Sequence, residues 1–426
     1  MSTISELHDP WSIRGKISYF IEKTEQMGGK IKRLVEDPRR ITAILKQSKQ
    51  LGRKVPPPII GYQEGARGRL KKRALMAYVA WPFYVDPENR LHGVIANGLQ
   101  SVEIAKAFNR LGYIVDVIDW LDTTFVPTNN YDAFFGMHYN FERLLPYLAD
   151  TTTKIYYGTG AYWAFEIAAE QHRIENLIKR RGIQIKLPTR LGDNNWVQLA
   201  DAVIVMGNEF TASTYRPYNS KIFSIDNSAR ISNTPDLEHK DFTRARNNFL
   251  AFPSTGLLHK GLDLLLEAFI ELKDLDLWVC GPLQAKTERD FVRAYRRELF
   301  HTPNIHPIGW TDIHSEQFKQ LTNKCAFVFS PSCAEGMAGG ILDCMSQGLI
   351  PLVSREVGVD TNDFGVTFEE SSVDIIRQVV TNMAKQPPHI LRRMAQEAYR
   401  QACARYSLNS FSKNIERILR VILSER

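Results

Sequence analysis

Residues 325–354 read CAFVFSPSCAEGMAGGILDCMSQGLIPLVS, and this stretch decides the fold. Its apolar start, CAFVFSPS, predicts a buried strand, and its last six residues, LIPLVS, predict another. Between them lie a glycine-rich turn and a short helix that we expect to begin near Gly340. A strand, a helix and a second strand in this order form a βαβ unit, in which the two strands run parallel. The stretch therefore predicts a parallel, Rossmann-like α/β sheet.

The same alternation of short apolar runs and helical periodicity extends in both directions from this unit. Within residues 248–405 it predicts three further strands, NFLAFPS (248–254), LDLWVCG (275–281) and NIHPIGW (304–310). Within residues 75–226 it predicts a second series, ALMAYVAW (74–81), YIVDVID (113–119), YDAFFGM (131–137), KIYYG (154–158), DAVIVMG (201–207) and KIFSID (221–226). We therefore expect two Rossmann-like domains whose parallel sheets face a central cleft, where a ligand would bind.

The predicted domain boundaries lie where the apolar periodicity stops. Residues 227–247 are polar and charged, and we interpret them as the interdomain linker. Residues 1–74 precede the first domain as a basic extension, and residues 406–426 are predicted to be a C-terminal helix. A chain of 426 residues with 44% hydrophobic residues suits two domains of about 150 to 200 residues each.

The cysteines and the hydropathy pattern indicate where the protein works. The five cysteines are scattered and odd in number: Cys280, Cys325, Cys333, Cys344 and Cys403. This usage predicts reduced thiols in a cytosolic protein, without a disulfide framework or a zinc site. The N-terminal sequence MSTISELHDP lacks the features of a secretory signal, and no run of about 18 apolar residues occurs. We therefore expect a cytoplasmic protein.

Positive charge is concentrated at the N-terminus. Residues 1–74 hold 17 Lys and Arg against 7 Asp and Glu, whereas the net charge of the whole chain is +7. Ile13, Ile17, Phe20 and Ile21 recur at helical spacing among these cations. A basic amphipathic helix of this kind binds an anionic membrane surface or packs on its own protein with a solvated basic face. Both alternatives stay open, and we expect no binding to nucleic acid.

Two loops of the second domain have residues suited to a nucleotide. The loop after NFLAFPS contains Gly256 for a turn and Lys260 beside a helix start, where an ammonium group suits a phosphate. The alternative is a solvated lysine. Gly309 and Trp310 follow another strand, and backbone groups there could reach the edge of a nucleotide base. A buried structural tryptophan is the competing interpretation.

The turn in the opening stretch is the third candidate. Glu335 begins the turn, and Gly339 and Gly340 allow close approach of a ligand to the backbone. The helix that follows has unpaired N–H groups at its start, and Asp343 lies about one turn further on. A ligand with an anionic centre and hydroxyl groups on both sides fits this arrangement. A nucleotide-diphosphate sugar is such a ligand.

These residues resemble a known family. The stretch from Glu335 to Asp343 is similar to the E-x7-E motif of retaining glycosyltransferases of the GT-B fold, glycosyltransferase family 4. HKGLDLLLEAF (259–269) resembles the phosphate-binding lysine element of that family. The resemblance covers residues 248–355 specifically and residues 75–226 only in architecture. It implies same-face transfer of a hexose from a nucleotide-diphosphate sugar to a glycan, lipid-linked or other hydroxyl acceptor, in polysaccharide or glycolipid synthesis.

The resemblance also implies residue roles. Lys260 would contact the donor diphosphate, Glu335 would hydrogen-bond the transferred sugar, and Asp343 would bind the nucleotide ribose. The backbone around the sugar and phosphates would come from Gly336, Met337, Ala338, Gly339 and Gly340. Two residues depart from the family pattern: Asp343 is one methylene shorter than the usual glutamate, and Thr255 stands where many members have an arginine.

The first domain resembles the acceptor side of the same family. His92 and Gly93 lie near the tip of a loop expected to cover the acceptor, and Gly160 is expected to line that side. His138 follows a predicted strand as a histidine of the family does, and we expect it in the cleft with a catalytic role. The charged residues from Glu166 to Arg181 are predicted to form an exposed helix face.

A required metal is not expected, and no cofactor is predicted. The string Asp274-Leu275-Asp276 has the D-x-D form of metal-dependent glycosyltransferases, but it leads into a strand at the edge opposite the ligand. Two rival functions remain open. A sugar-nucleotide epimerase would act on the donor alone, and a non-catalytic GT-B scaffold would bind a nucleotide sugar without transferring it.

Overall fold

The structure is a computed structural model, and it describes residues 55–66, 68, 70–85, 96–185, 194–231 and 234–424. Most of the predicted basic extension, residues 1–54, lies outside the described residues, and so do His92 and Gly93. The predictions for these residues stay predictions.

The first domain is built on a seven-stranded sheet. Its strands are β1 (Ile59–Tyr62), β2 (Lys72–Tyr78), β3 (Tyr113–Asp119), β4 (Ala133–Gly136), β5 (Thr153–Gly158), β6 (Ala202–Met206) and β7 (Ile222–Ile225). They are ordered β1-β3-β2-β4-β5-β6-β7, and all neighbouring pairs are parallel except β1 with β3. The six predicted strands all form. The edge strand β1 lies within the predicted extension and was not expected.

Four α-helices connect these strands. They are α1 (Ala96–Arg110), α2 (His138–Leu144), α3 (Trp163–Arg181) and α4 (Glu209–Ser213). A 3₁₀ turn, Trp81–Tyr84, follows β2, and another, Leu145–Tyr147, follows α2. Gly182 ends α3 in the left-handed conformation, with φ of 63°, and its N–H donates to the carbonyl of Ile178.

The second domain has a six-stranded sheet in which every pair is parallel. Its strands are β8 (Asn248–Ala251), β9 (Asp276–Val279), β10 (Ile305–Pro307), β11 (Phe327–Ser330), β12 (Ile350–Ser354) and β13 (Val366–Phe368). Their order is β10-β9-β8-β11-β12-β13. The direction of strand succession reverses between β8 and β11, so the loops after these two strands diverge and leave a crevice.

The remaining helices of the described residues follow β7 along the chain. They are α5 (Phe242–Ala245), α6 (Leu262–Glu271), α7 (Arg289–Ala294), α8 (Arg296–His301), α9 (Glu316–Lys324), α10 (Gly339–Met345), α11 (Val373–Ala384), α12 (Pro388–Ala404) and α13 (Leu408–Ser424). Two 3₁₀ turns, Lys286–Glu288 and Arg355–Val357, complete the elements. No helix of the described residues is long and apolar enough to cross a membrane.

Aromatic packing holds the reversal point between β8 and β11 together. Phe249 of β8 and Phe327 of β11 are both fully buried, and their rings stack with centroids 4.7 Å apart. Burial of a phenylalanine side chain contributes roughly 1.5 to 3 kcal/mol. The two strands that precede the candidate loops are therefore anchored in the hydrophobic core.

The C-terminal helix crosses back to the first domain. Helix α13 packs against α1, where the Nε of Arg110 donates to Glu416 at 2.6 Å. The hydroxyl of Ser412 donates to Glu103 at 2.6 Å. The chain therefore connects the two domains twice, once before β8 and once after α12.

The charged face of α3 is partly an interdomain contact. The prediction of an exposed face is confirmed for Glu175, Lys179 and Arg180 but is wrong for Glu170 and Arg173. Glu170 and Arg173 are buried, and Nη2 of Arg173 donates to the carbonyl of Pro331 at 2.8 Å. Arg180 donates to Asp263 in the second domain at 2.7 Å. The two buried charges face the other domain, where Arg173 meets the carbonyl of Pro331 and Glu170 meets His259.

Candidate functional site

A cavity of about 570 Å³ lies between the two domains. The first domain lines it with Thr159, which follows β5, and with Met206, the last residue of β6. Phe252 follows β8 and Ser330 ends β11, and both line the cavity from the second domain. The cavity therefore lies at the carboxyl ends of the strands, where parallel α/β sheets bind ligands. Its volume is within the range of about 300 to 1,000 Å³ that is typical of small-molecule sites.

Lys260 and Glu335 form an ion pair on the wall of this cavity. They are 75 residues apart in the chain, but they follow the neighbouring strands β8 and β11. Gly261 has φ of 74°, and a Cβ there would lie 2.3 Å from the carbonyl oxygen of Pro331. Only glycine therefore lets the two loops approach so closely. The hydroxyl of Ser332 also donates to Glu335, at 2.6 Å.

The surrounding cations keep Glu335 ionised. Burial by itself raises the pKa of this carboxyl group, but Lys260 and His259, with the hydrogen bonds of Lys260 and Ser332, hold the pKa below its usual value. An ionised carboxylate only accepts hydrogen bonds. Glu335 can therefore receive hydrogen bonds from ligand hydroxyl groups in the cavity.

His259 links this pair to the first domain. Its Nδ1 lies 2.7 Å from Oε1 of Glu170 on α3, and both side chains are 7% exposed. Its Nε2 lies 4.0 Å from Oε1 of Glu335. Burial lowers the pKa of His259, but Cys333, Glu170 and Glu335 together raise it to about 10. The imidazole is therefore protonated at neutral pH, and its positive charge lies between carboxylates of the two domains.

The turn after Glu335 presses against the first domain. A Cβ on Gly336 would lie 2.4 Å from the carbonyl oxygen of Thr159 and 2.6 Å from that of Met206. The hydroxyl of Thr211 donates to the carbonyl of Gly336 at 2.8 Å, and this bond is buried. The amide of Asn227 donates to the carbonyl of Met337 at 2.8 Å. The position of the turn thus depends on contact between the domains.

The start of α10 presents backbone to the cavity. The first amide of this helix to make a backbone hydrogen bond is that of Ile341, which donates to the carbonyl of Ala338 at 3.1 Å. A Cβ on Gly339 would lie 3.2 Å from Nδ2 of Asn227, and one on Gly340 would lie 3.2 Å from Cδ1 of Phe252. Glycine at both positions leaves the backbone open to a ligand.

Asp343 is paired with Arg230, a residue of the predicted linker. The carboxylate is 3% exposed, and its Oδ1 accepts from the backbone N–H of Arg230 at 2.8 Å. Its Oδ2 accepts from Nε and Nη2 of the same guanidinium. Burial raises the pKa of Asp343 above its usual value, although Arg230 opposes the shift. Both residues line the cavity.

Residues 250–385 match the family model of Glycosyl transferases group 1. The matched residues lie within the second domain and make up about a third of the chain. The match includes Lys260, Glu335 and Asp343, the three residues on which the resemblance depends. No curated protein matches the chain by sequence.

Solved structures are similar to the chain over both domains. Sucrose-phosphate synthase from Thermosynechococcus elongatus has a TM-score of 0.56 at 10% identity, covering 84% of this chain and 100% of that one. HepE from Anabaena in complex with UDP-glucose has a TM-score of 0.52 at 13% identity, covering 82% and 100%. For TarM the TM-score is 0.47 at 14% identity, covering 68% of this chain but 54% of that one.

The chain thus spans about half the length of TarM but the full length of the other two. The likeness to those two shows the fold, which is GT-B as predicted.

Two glycines predicted to bind the donor, Gly256 and Gly309, do not line the interdomain cavity. Gly256 instead donates its N–H to Oε1 of Glu288 at 2.8 Å. Gly309 lies next to a lining residue, Trp310, whose side chain is 75% exposed. The interpretation of Trp310 as a buried structural residue is therefore wrong, because its ring lies open at the cavity. By contrast, Met337 and Ala338, also predicted to bind the donor, line the cavity.

Of the acceptor-side candidates, His138 and Gly160 do not line the cavity, whereas His92 and Gly93 lie outside the described residues. His138 begins α2 after β4, with a strained φ of 52°, between the rings of Trp120 and Trp196 at centroid distances of 5.4 and 5.9 Å. Burial lowers the pKa of His138 to about 4, so the imidazole is neutral at pH 7. Gly160 accepts a hydrogen bond from the hydroxyl of Tyr215 at 2.8 Å, and its neighbour Thr159 lines the cavity.

Among the described residues, no group of three or more His, Cys, Asp or Glu side chains could hold a metal ion. Asp276 of the D-x-D string begins β9 and lies 2.6 Å from Nε2 of His306. It is therefore at the amino end of the strand, away from the cavity, as the sequence predicted.

The sequence did not single out Arg230, Asn227, His259 or Glu170 as parts of this site. Arg230 and Asn227 belong to a polar segment without periodicity, so nothing local indicates which of its residues turn inward. The only available signal was position, because a segment that crosses between the domains must pass the cleft. His259 was adjacent to the predicted lysine, but its partner Glu170 is 89 residues away.

Proposed function

We propose that this protein is a retaining glycosyltransferase that moves a hexose from a nucleotide-diphosphate sugar to a hydroxyl acceptor. The observation that carries the proposal is the Lys260–Glu335 pair on the wall of the interdomain cavity, beside the backbone of Gly339 and Gly340. This arrangement offers a cation for phosphates and an ionised acceptor for sugar hydroxyls within one site. The group 1 match supports the same assignment.

Lys260 would stabilise the departing diphosphate. When the bond between the sugar and the phosphate breaks, negative charge grows on the phosphate oxygens. An ammonium group held beside them lowers the energy of the transition state, a kind of contribution worth about 3 to 4 kcal/mol per well-placed donor. The amides of Gly339 and Gly340 are placed to support the same charge. A diphosphate oxygen would help deprotonate the acceptor on the same face, which gives retention.

Glu335 would position the sugar. In the absence of a ligand hydroxyl, the carboxylate accepts hydrogen bonds from Lys260 and Ser332. Because a carboxylate has about four acceptor sites, sugar hydroxyls can bind without displacing both partners. Substitution of Glu335 should therefore affect transfer more than folding.

Trp310 would stack on the nucleotide base. Its ring is 75% exposed at the rim of the cavity, an unusual exposure for a tryptophan. An aromatic face of this kind contributes about 1 to 3 kcal/mol per stacked base in nucleic-acid binding. The base would then lie at the opposite end of the cavity from the first domain.

The acceptor would bind on the side of the first domain. His92, Gly93 and Gly160 remain our proposed acceptor contacts, and His138 is the proposed acceptor-side catalytic group. Support for His138 comes from its strained backbone after β4, where φ is 52°. We propose that the reaction requires neither a metal ion nor a cofactor.

We also propose that the protein works in the cytoplasm, in polysaccharide or glycolipid synthesis, with residues 1–74 contacting an anionic membrane. The support is the excess of basic residues in this segment. Sedimentation of the full chain with phosphatidylglycerol vesicles, but not with phosphatidylcholine vesicles, is expected at low salt. Equal recovery with both vesicles would contradict membrane contact.

A panel of nucleotide sugars tests the enzyme assignment. HepE was crystallised with UDP-glucose, so UDP-glucose is the first donor to screen, followed by GDP- and ADP-sugars. A bound donor raises the melting temperature by mass action. The donor that binds is then incubated with hydroxyl acceptors in the presence of EDTA, and the anomeric configuration of the product is read by NMR. Inversion at the anomeric carbon would contradict retention.

The same assay separates the rival functions. A sugar-nucleotide epimerase yields a new nucleotide sugar without an acceptor, whereas a glycosyltransferase releases nucleoside diphosphate as acceptor is glycosylated. Donor binding without transfer to any acceptor would favour a scaffold.

A further inference from the structure

Both carboxylate oxygens of Asp343 accept hydrogen bonds from one residue, Arg230. Oδ1 accepts from the backbone N–H at 2.8 Å, and Oδ2 accepts from Nε at 3.1 Å and from Nη2. The carboxylate is 3% exposed, so little of it faces the cavity. A buried carboxylate with both oxygens paired is better suited to fix the position of Arg230 than to contact a ligand.

Arg230 keeps free donors after this pairing. A guanidinium has five N–H groups, and Asp343 uses two of them, one on Nε and one on Nη2. Within the described parts of the chain, the other three make no hydrogen bond. The side chain is 26% exposed and lines the same cavity as Lys260 and the start of α10. It therefore presents a fixed positive charge and unpaired N–H groups to a ligand.

We infer that Arg230 binds the diphosphate of the donor and that Asp343 is the residue that positions it. This inference rests on the proposed function, because it names a further contact for the same donor. A guanidinium with two parallel N–H groups matches two phosphate oxygens, and a charged partner behind it fixes the fork in place. Arg230 and Lys260 then supply two cations to the diphosphate, one from the segment between the domains and one from the loop after β8.

The assignment accounts for both departures from the family pattern. Thr255 lacks the cation that many relatives have before the lysine, and Arg230 supplies one from the crossover segment instead. The shorter Asp343 does not need to reach a ribose hydroxyl if its task is to hold a guanidinium. Arg230 thus supplies the cation that is missing at Thr255, and its pairing with Asp343 gives the shorter carboxylate a role.

Isothermal titration with UDP, GDP and ADP, and with the corresponding nucleosides, tests the inference. For the diphosphate that the wild type binds best, R230Q is expected to raise the Kd at least tenfold, whereas the Kd of the nucleoside changes less than twofold. R230K should recover part of the lost affinity because it restores the charge without the fork. D343N should mimic R230Q, since it releases the guanidinium.

The double variant R230Q/D343N guards against a folding artefact. R230Q leaves Asp343 buried without a counter-ion, which destabilises a protein, whereas the double variant removes both charges. If Asp343 acts through Arg230, the double variant binds the diphosphate as weakly as R230Q and no more weakly. R244Q is the matched control, because Arg244 is 91% exposed on α5 and does not line this cavity. It should bind like the wild type.

Two results would overturn the inference. One is a diphosphate Kd unchanged in R230Q. The other is a D343N variant that loses nucleoside and diphosphate affinity by the same factor, which would make Asp343 the ribose contact. If the wild type itself bound none of the three diphosphates, the proposed function would fail together with this inference.

Discussion

Glu170 of the first domain and His259 of the second are joined by a buried hydrogen bond of 2.7 Å, and His259 is the residue next to Lys260. A residue of the first domain thereby holds the loop that carries Lys260. Because Nε2 of His259 also lies 4.0 Å from Glu335, the same imidazolium connects domain contact to the ion pair in the cavity.

The interdomain pair should make stability depend on pH. His259 binds its proton more tightly in the folded protein, with a pKa of about 10 against about 6.5 in an unfolded chain. Its stabilising contribution is therefore complete below about pH 6.5 and is lost as the pH rises through 10. In urea titrations, the difference in free energy of unfolding between wild type and H259Q should shrink between pH 6.5 and 10.

Comparison with the variant removes the contributions of other titrating groups. H239Q is the control, because His239 is 86% exposed and pairs only locally with Asp236. E170Q should lower stability at pH 7 by about 1.5 to 3 kcal/mol, the range for a hydrogen bond to a charged group. A pH-independent difference between wild type and H259Q would contradict the interpretation.

Removal of either member of the cavity ion pair should abolish most transfer. K260A and E335A are each expected to reduce kcat/KM more than tenfold, because each removes a charge that the donor contacts. Circular dichroism should show an unchanged fold. K273A is the control, since Lys273 lies on the far side of the second domain, in the turn after α6. Normal turnover in both K260A and E335A would contradict the assignment of Lys260 and Glu335 to the donor site.

The turn at Gly336 should tolerate no side chain. G336A places a Cβ within 2.4 Å of the carbonyl oxygen of Thr159, so the two domains must separate for it to fit. We expect transfer to fall more than tenfold while the second domain keeps its fold. T211V, which removes only the hydrogen bond to Gly336, should have a smaller effect. Equal activity of G336A and wild type would show that this contact is dispensable.

Domain closure is expected to respond to the donor. Small-angle scattering with and without nucleotide should show a smaller radius of gyration in the bound state, as ligands in a cleft between domains favour closure. The hydrogen bonds of Thr211 to Gly336 and of Asn227 to Met337 are already formed in this structure, so an open state without nucleotide would have to break them. Identical scattering curves in both states would count against closure.

Loss of the exposed tryptophan should weaken nucleotide binding. W310A is expected to cost about 1 to 3 kcal/mol of binding free energy for a nucleoside diphosphate, through lost stacking on the base. F300A is the matched control, because Phe300 is 50% exposed on α8 and does not line the cavity. Titration calorimetry measures both. Equal affinity in W310A and F300A would remove Trp310 from the site.

Local sequence patterns predicted the two sheets well. Parallel strands buried on both faces have continuous apolar runs, and those runs do not depend on distant residues for recognition. The predicted strand YIVDVID, for example, begins and ends at the same residues as β3, Tyr113–Asp119. The short edge strands β1 and β13 were missed, because an edge strand needs fewer apolar residues and its pairing is set by the sheet beside it.

Helix α3 shows why charge patterns were harder to interpret than apolar ones. Charged residues at helical spacing look the same whether they face water or an opposite charge on another domain. Arg173 and Glu170 are buried because Pro331 and His259 lie opposite them, more than 80 residues away in the chain. Nothing in the sequence of α3 distinguishes that environment from solvent.

The sequence by itself determined the strand–turn–helix unit around Glu335, the glycines that open its turn, and the lysine after β8. These features follow from apolar periodicity and from the backbone freedom of glycine, which are local properties. Only the tertiary structure decided which charges meet. Asp343 and Arg230 are 113 residues apart, and the pairing depends on how the crossover segment passes the start of α10. Electrostatic partners are selected by distance in space, and that distance is fixed only when both domains have folded and docked.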